Sequence, residues 1–582
     1  MRPFSMQYLY LGKPAALLLL ITVISVFLWI GLGDFYTKGE PREASVAVSM
    51  IEKQQWILPE VYADEIAYKP PLMHWLTAVF SLSEGKVTPF TSRLPSAIAF
   101  LGLVVCSFLF FGARLRMQES FLAALILLTA FELHRAAMTS RVDMLLTFLI
   151  VGTLIRLFNW EEQKKLEGFP WLASFFMSLS VLTKGPVGIV LPLLVFSVYL
   201  LFLRYNVFKI AIKLVPLILF ALILPLVWYF LSYLKGEKDF LYLVWAENFG
   251  RFFHIENLNI QYELGHEESW WYNLTSLAAG FLPWTFLLAI SLFGLSYRQF
   301  FGIQSFWNSL IQIDKVKFFS ALSTIIIVLF YSLPASKRSV YLMPAYPFIS
   351  IFIARYILYL TEYKPKIIKF FACFIGIFAC LTGFAALLTV IAKWFIPENF
   401  FDDLTTNTAL QAQISHIWRS IYFPQLQSFL LFIILFFSIF YLFKSFRKKF
   451  YLKTLYSIFG VYLSLFLVID GLFLPAYKNA ISLRAVAENI EAHYPVTEYN
   501  MFVMNNLLEY RNMYGLNFYL HNSFRNFEKE SPSEGYFLTG KNDFEKVLQN
   551  YKTHYNFSLL EEFPNYTRDG EKVVQLYFFK IK

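Results

Sequence analysis

Runs of about 20 mainly apolar residues, the length that spans a bilayer as a helix, recur along most of the chain. They decide what it can fold into. We place thirteen, near residues 15–33, 94–112, 119–134, 141–158, 170–183, 186–203, 209–233, 273–297, 317–333, 340–360, 367–393, 426–444 and 453–475. Of the 582 residues 57% are hydrophobic and 15% charged, whereas soluble domains carry roughly 25% charged residues. Water therefore cannot surround most of this surface. The 66 Phe, 35 Tyr and 13 Trp exclude disorder and suit a lipid-facing surface with aromatic belts.

Charge sets the orientation. An odd number of spans puts the termini on opposite sides of the membrane. With the N-terminus in the cytoplasm, that side collects Arg114, Arg116, Lys164, Lys165, Lys209, Lys213, Lys315, Lys317, Lys364, Lys366 and Lys369. It also receives the run Lys444, Arg447, Lys448 and Lys449. The formal charge of +10 then follows the positive-inside rule and is no nucleic-acid footprint. The first apolar run reads as an uncleaved anchor, because no small-x-small cleavage site follows it. Cys106, Cys373 and Cys380 all fall inside proposed spans, so they build no disulfide or metal framework outside the membrane.

From residue 476 the pattern changes. Polar turns such as Ser531-Pro532-Ser533 and Gly540-Lys541-Asn542-Asp543 separate short segments. Phe502–Met504, Phe518–Leu520 and Val573–Phe579 read as strands, and Leu483–Ala492 and Asp543–Tyr551 as helices. The expectation is a polytopic α-helical membrane domain, 1–475, followed by a small extracytoplasmic α/β domain, 476–582. The protein is expected in the inner membrane, multi-pass, with its C-terminal domain outside.

The long polar connections, 34–92, 234–272 and 394–425, all fall on the outer side, so that is where chemistry is expected. In the first, Gly39-Glu40-Pro41-Arg42-Glu43-Ala44 opens a helix-like stretch ending at Gln55-Trp56. Tyr68-Lys69-Pro70-Pro71-Leu72-Met73-His74-Trp75 follows. The prolines can open a helix and hold Lys69 at its N-terminus, where an ammonium and free N–H groups suit a phosphate. The plainer reading is an interfacial helix with a snorkelling lysine.

Asp143, in Ser140-Arg141-Val142-Asp143, sits at the outer mouth of a span. It either complements the helix dipole or serves as a second active-site acid opposite Glu40. Lys184 ends a span in Thr183-Lys184-Gly185-Pro186, as a headgroup anchor or as a functional cation. Lys337 and Arg338 stand together on the side that the charge rule disfavours, with Tyr341 just inside the next span. An anionic ligand fits them. Glu247-Asn248-Phe249-Gly250-Arg251 and His266-Glu267-Glu268-Ser269-Trp270-Trp271 mark another outer loop. The Trp-Trp pair suits an aromatic belt, and the spacing of His254, His266 and their neighbouring glutamates matches no standard zinc pattern.

Taken in order, Glu-Pro-Arg-Glu-Ala, Tyr-Lys-Pro-Pro-Leu, Asp-Met-Leu-Leu, Thr-Lys-Gly-Pro, Glu-Asn-Phe-Gly-Arg-Phe and Ser-Lys-x-x-x-Tyr-Leu-x-Pro resemble the polyprenyl-phosphate-dependent glycosyltransferases of the GT-C superfamily. That superfamily includes protein O-mannosyltransferases and the aminoarabinose transferases that act on lipid A. The likeness covers residues 30–350, and the aminoarabinose branch fits best, with thirteen spans and a small outer domain. It implies a GT-C fold and a polyprenyl-phosphate sugar donor. The acceptor is a glycolipid such as lipid A or, alternatively, a protein hydroxyl. It also implies donor-phosphate contacts at Lys69, Arg251 and Tyr341 with Lys337 and Arg338 nearby, Asp143 as the second acid, and Arg42 and Lys184 in support.

The family's loop aspartate falls on Gly39 here, which leaves Glu40 as the substitute catalytic base and Asp34 as a more distant one. Fixed cations take the leaving phosphate, so no cofactor is required; a divalent metal stays open. A transporter or flippase for a lipid-linked saccharide is the rival of another class. It would place ionisable groups near the bilayer midplane, and only Asp470, late in the last span, lies deep enough for that reading.

Overall fold

The computed structural model describes residues 4–37, 39–63, 65–67, 69–246, 268–293, 314–334, 336–400, 408–497, 499–504, 513–567 and 570–582. The first helices are α1 (Phe4–Thr22), α2 (Gly39–Glu52), α3 (Leu72–Ser81), α4 (Pro89–Gly112) and α5 (Met117–Thr129). They continue with α6 (Phe131–Ala137), α7 (Val142–Lys164), α8 (Trp171–Lys184), α9 (Val187–Phe202) and α10 (Val207–Trp245). Beyond them come Tyr272–Gly280, Trp284–Phe293, Lys315–Ser332, Tyr346–Tyr363, Pro365–Phe395, Gln425–Arg447 and Tyr451–Val468.

Among the described residues eight helices are long and apolar enough to cross a membrane, and up to ten spans result if each of two bent pairs counts as one. The bent pairs are α5 with α6, turned by 62°, and Tyr272–Gly280 with Trp284–Phe293, turned by 102°. All thirteen expected spans fall on these elements or on the shorter apolar helices Leu11–Phe27, α8 and α9. Length alone therefore vouches for ten. Helix α10 leaves Phe208, Leu219, Leu226 and Phe230 at least 58% exposed. A bilayer is the solvent that such a surface calls for.

Local chemistry places the breaks. Thr88 caps α4 by a reciprocal exchange with Thr91, with Pro89 at the first helical position, the arrangement that satisfies orphan N–H groups at a helix start. Helix α8 stops at Lys184 because Gly185 takes a positive φ of 81° and Pro186 stands at the mouth of α9. Pro71 likewise stands before α3, so the two prolines open a helix as expected. Asp470 lies in a π turn, Ile469–Phe473, and hydrogen bonds His134 Nε2 of α6 at 2.6 Å. The one deep acid is thus engaged inside the bundle.

After Leu474–Ala480 the chain enters an α/β unit. Its five-stranded sheet has the order β2-β1-β3-β5-β4, with β1 (Met501–Val503), β2 (Phe524–Asn526), β3 (Glu534–Gly540), β4 (Tyr555–Thr567) and β5 (Gly570–Ile581). Strand β1 runs parallel to β2 and β3, while β5 is antiparallel to β3 and β4. The helices expected at Leu483–Ala492 and Asp543–Tyr551 are found at Arg484–His493 and Phe544–Tyr551. Phe518–Leu520 is not a strand. It belongs to a helix, Tyr514–Tyr519, closed by His521 and Asn522 with φ of 53° and 52°. Aromatic density made the segment look extended, but Leu516 and Phe518 are buried against Phe35, Ala44 and Val48 in one shared core.

That core joins the sheet unit to the first loop. Asn522 Nδ2 donates to the Ser45 carbonyl at 2.7 Å and to Ser49 Oγ at 2.9 Å. Tyr514 donates to Glu65 Oε2 at 2.6 Å, and Phe35 N–H donates to the Tyr519 hydroxyl at 3.0 Å. Helix α2 is therefore clamped from above before it can position anything. Replacing Asn522 with Ala leaves two buried acceptors unsatisfied, a cost of about 1–3 kcal/mol. The expected result is a lower melting temperature in detergent and faster proteolysis of the 39–70 segment.

Candidate active site

The site grows from one arginine in the first turns of α4. Arg93 is 1% exposed and donates Nε to Glu40 Oε1 at 2.8 Å. Its Nη1 donates to the Ile30 and Gly33 carbonyls at 2.7 and 2.6 Å, and its Nη2 reaches the Asp34 carbonyl at 3.3 Å. Glu40 also accepts the Ser140 N–H at 3.0 Å. One ion pair thereby fixes the end of the first span, the start of α2 and the turn leading into α7. Burial would raise the Glu40 carboxyl, but Arg93, with Lys478 and the Ser140 N–H, outweighs it and together they hold the group down to about 2.

Burial and pairing bear on what Glu40 can do. A general base must reach the proton it removes, and Glu40 is 1% exposed with its charge met by Arg93. Its geometry is that of a fastening. Asp34, the distant substitute, lies near Arg484 instead, at 3.5 Å.

The next residues of α2 face the cluster. Glu43 accepts from the Lys69 ammonium through Oε1 and pairs with His74 Nε2 through Oε2 at 2.8 Å. Arg42 Nη2 stands 3.8 Å from the same Oε1. Burial would lift the Glu43 carboxyl, but Lys69, His74 and Arg42 together hold it well below the usual carboxylate range. Lys69, three residues ahead of α3, is thus held from behind by a carboxylate, with 28% of its side chain exposed.

Asp143 occupies the second position of α7 and is paired with Lys184 from the end of α8. The Lys184 ammonium lies over the Tyr341 ring, 4.1 Å from its centroid, a cation–π contact. Lys69 and Arg141 act electrostatically on Asp143, and Arg338 on Lys184. Lys69, Asp143, Lys184, Arg338 and Tyr341 therefore form one group, as expected from their motifs. Tyr341 sits on a 3₁₀ turn, Ser339–Ala345, which Glu132 anchors by accepting from Ser339 Oγ at 2.8 Å while pairing with Arg135 at 2.7 Å. Lys337 is buried and donates to the Glu268 carbonyl at 2.9 Å. Arg251 lies outside the described residues, as do His254 and His266. Among the described residues no three His, Cys, Asp or Glu side chains converge to hold a metal ion.

Gly39 explains a further cation. A Cβ at position 39 would meet Arg141 Nη2 at 3.1 Å, so the Arg141 guanidinium lies against this glycine. Arg141 and Arg338 carry no ion pair among the described residues. Lys69, Arg141, Lys184 and Arg338 make the group rich in positive charge at one end of the bundle.

Known proteins share the architecture of this chain. Crystal structures of ArnT from Cupriavidus metallidurans, bound to undecaprenyl phosphate and in the apo state, superpose with TM-scores of 0.63 and 0.64. Each is 17% identical to this chain and covers 97% of it, with 98% and 97% of the ArnT chain included. The chain has the GT-C fold. A family model described as dolichyl-phosphate-mannose-protein mannosyltransferase matches residues 68–229, the stretch that holds Lys69, Arg141, Asp143 and Lys184.

An undecaprenyl phosphate-alpha-4-amino-4-deoxy-L-arabinose arabinosyl transferase of Shewanella sediminis is 25% identical over 61% of this chain. A Pseudomonas aeruginosa protein of the same name is 24% identical over 56%. The matches span 62% and 56% of the length of those relatives. In this GT-C scaffold Arg93, His74, Glu43 and Arg141 are the residues that sequence reading passed over. One signal was available for Arg93, since an arginine at the mouth of an apolar span needs a partner.

The Glu40 carboxyl lies far below its ordinary 4.5 in the fold, so its stabilising contribution is complete above that value and is lost as pH falls toward about 2. Thermal unfolding in detergent between pH 7 and pH 2.5 should show wild type losing its advantage over Glu40→Gln in that window. At neutral pH the variant should be less stable by about 3–5 kcal/mol, the cost of an uncompensated buried charge.

Proposed function

We propose that this protein is an inner-membrane glycosyltransferase that moves a sugar from a polyprenyl-phosphate donor to an acceptor on the outer face, where the sheet unit sits. The observation that carries the reading is the gathering of Lys69, Arg338 and Tyr341 around the Asp143–Lys184 pair at the head of a GT-C bundle. Donor lipid would lie between helices with its phosphate among these cations. The acceptor loses a proton, its oxygen attacks the anomeric carbon, and the bond from that carbon to the phosphate oxygen breaks with inversion. The new charge stays on the lipid phosphate, where Lys69 and Arg338 offset it. Nucleotide sugars are confined to the cytoplasm, which is why an outward-facing transferase needs a lipid-linked donor.

We assign the base to Asp143, not Glu40. Its side chain is 12% exposed, so it can meet an acceptor, and Lys184 aims it. Glu43 with His74 positions Lys69, and Arg42 supports that carboxylate. The named relatives make a 4-amino-4-deoxy-arabinosyl donor on undecaprenyl phosphate and a lipid A-type acceptor the first pair to assay. The match to the protein mannosyltransferase model supports a second reading, with a protein hydroxyl as acceptor. A mass comparison of envelope lipids and glycoproteins with and without the enzyme separates the two.

Asp143→Asn should lower transfer by at least ~10²-fold, the contribution typical of a general base, with donor binding retained. If Glu40→Gln stays folded and binds donor but shows that loss while Asp143→Asn does not, the base returns to Glu40. Lys69→Ala should weaken binding of polyprenyl phosphate by about tenfold or more, as removal of a charge-assisted contact does. Unchanged affinity would remove Lys69 from the phosphate site.

A further inference from the structure

At the far end of the bundle from Asp143 lies a cavity of about 550 Å³. It opens where α5 begins, where helix Tyr346–Tyr363 ends, and where the chain turns from Gln425–Arg447 into Tyr451–Val468. Its charged lining is Arg116, Glu119, Glu362, Lys449 and Lys453. No ion pair joins these five among the described residues.

Glu119 is the unusual member. It is 6% exposed, and its Oε1 is buried without a hydrogen-bond partner. Its position in the first turn of α5 suits the helix dipole, but the dipole gives that oxygen no donor. A buried carboxylate oxygen without one is costly. Three cations stand across the same cavity, so its ligand should be anionic at one end and an N–H donor at the other. A simple phosphate would meet Glu119 as a like charge. The rim adds a third requirement, because the apolar side chains of Phe450 and Leu452 are 49% and 39% exposed there, between two helices long and apolar enough to cross a membrane.

We infer that this cavity binds the zwitterionic headgroup of an aminophospholipid, a phosphoethanolamine, with its ammonium on Glu119 and its phosphodiester among Arg116, Lys449 and Lys453. The acyl chains leave over Phe450 and Leu452. The inference uses the membrane reading of the bundle but none of the transfer chemistry, which occupies the other end. A choline headgroup offers no N–H to Glu119, and a glycerol headgroup offers no cation, so the site should prefer phosphatidylethanolamine to both.

The test is lipid retention by the delipidated full-length protein, read by native mass spectrometry after incubation with chain-matched phosphatidylethanolamine, phosphatidylcholine or phosphatidylglycerol. Wild type should retain the first about tenfold better, the scale of one charge-assisted hydrogen bond. Glu119→Gln should bring the three lipids level, and the double variant Lys449→Ala/Lys453→Ala should lower retention of all. Equal retention of the three lipids by wild type, or a preference unchanged in folded Glu119→Gln, overturns the inference. A competition on wild type needs no variant: soluble phosphoethanolamine should displace bound phosphatidylethanolamine, and phosphocholine and inorganic phosphate should not. Displacement by inorganic phosphate to the same extent would mark a plain phosphate site and also overturn it.

Discussion

Everything at the head of the bundle depends on how Arg93 is satisfied. A guanidinium buried at the mouth of a span is tolerable only if a carboxylate and several carbonyls surround it. Here those partners come from the first span, from α2 and, through Glu40, from the turn ahead of α7. The demand of one charge for partners therefore becomes a positioning device. It sets the start of α2, from which Glu43 reaches Lys69, and the start of α7, from which Asp143 reaches Lys184. The transfer proposed for this site would need its groups fixed in advance of the reaction, and this ion pair supplies that fixation beneath the site.

The sheet unit completes it from the other side. Its helix Tyr514–Tyr519 and Asn522 grip α2, so the loop carrying Glu43 is held between a hydrophobic roof and a charged floor. Such a two-sided seat explains how a loop segment can act as part of a rigid scaffold. The small domain brings no catalytic side chain to the cluster among the described residues; its contribution is the seat.

Much of the architecture was legible because its causes are local. Apolar runs mark spans, Gly185-Pro186 marks a break and Pro70-Pro71 a helix start, each through a property of the residues themselves. The motif residues Lys69, Asp143, Lys184, Arg338 and Tyr341 also came together as expected. What depends on distant partners was not legible. Glu40 is separated from Arg93 by 53 residues, and nothing around Glu40 in sequence distinguishes a buried fastening from a base. His74 and Arg141 stood inside quoted motifs without a role, because their partners, Glu43 and the space over Gly39, appear only in three dimensions. Phe518–Leu520 was misread because aromatic residues favour strands on average, and here a tertiary core overrode the average.

The glycine at position 39 has a consequence for the physics of the whole site. A carboxylate there would give Arg141 a second negative neighbour beside Asp143, whereas this site carries one negative charge fewer. Attraction for an anionic headgroup then comes more from long-range field than from a matched set of contacts, and such a field is screened by ions over about 8–10 Å at physiological strength. This protein should accordingly feel the ionic strength of its compartment more sharply than a version carrying an acid at that position. On the reading proposed above, the surrounding balance of salts would then act on it as a control of donor capture.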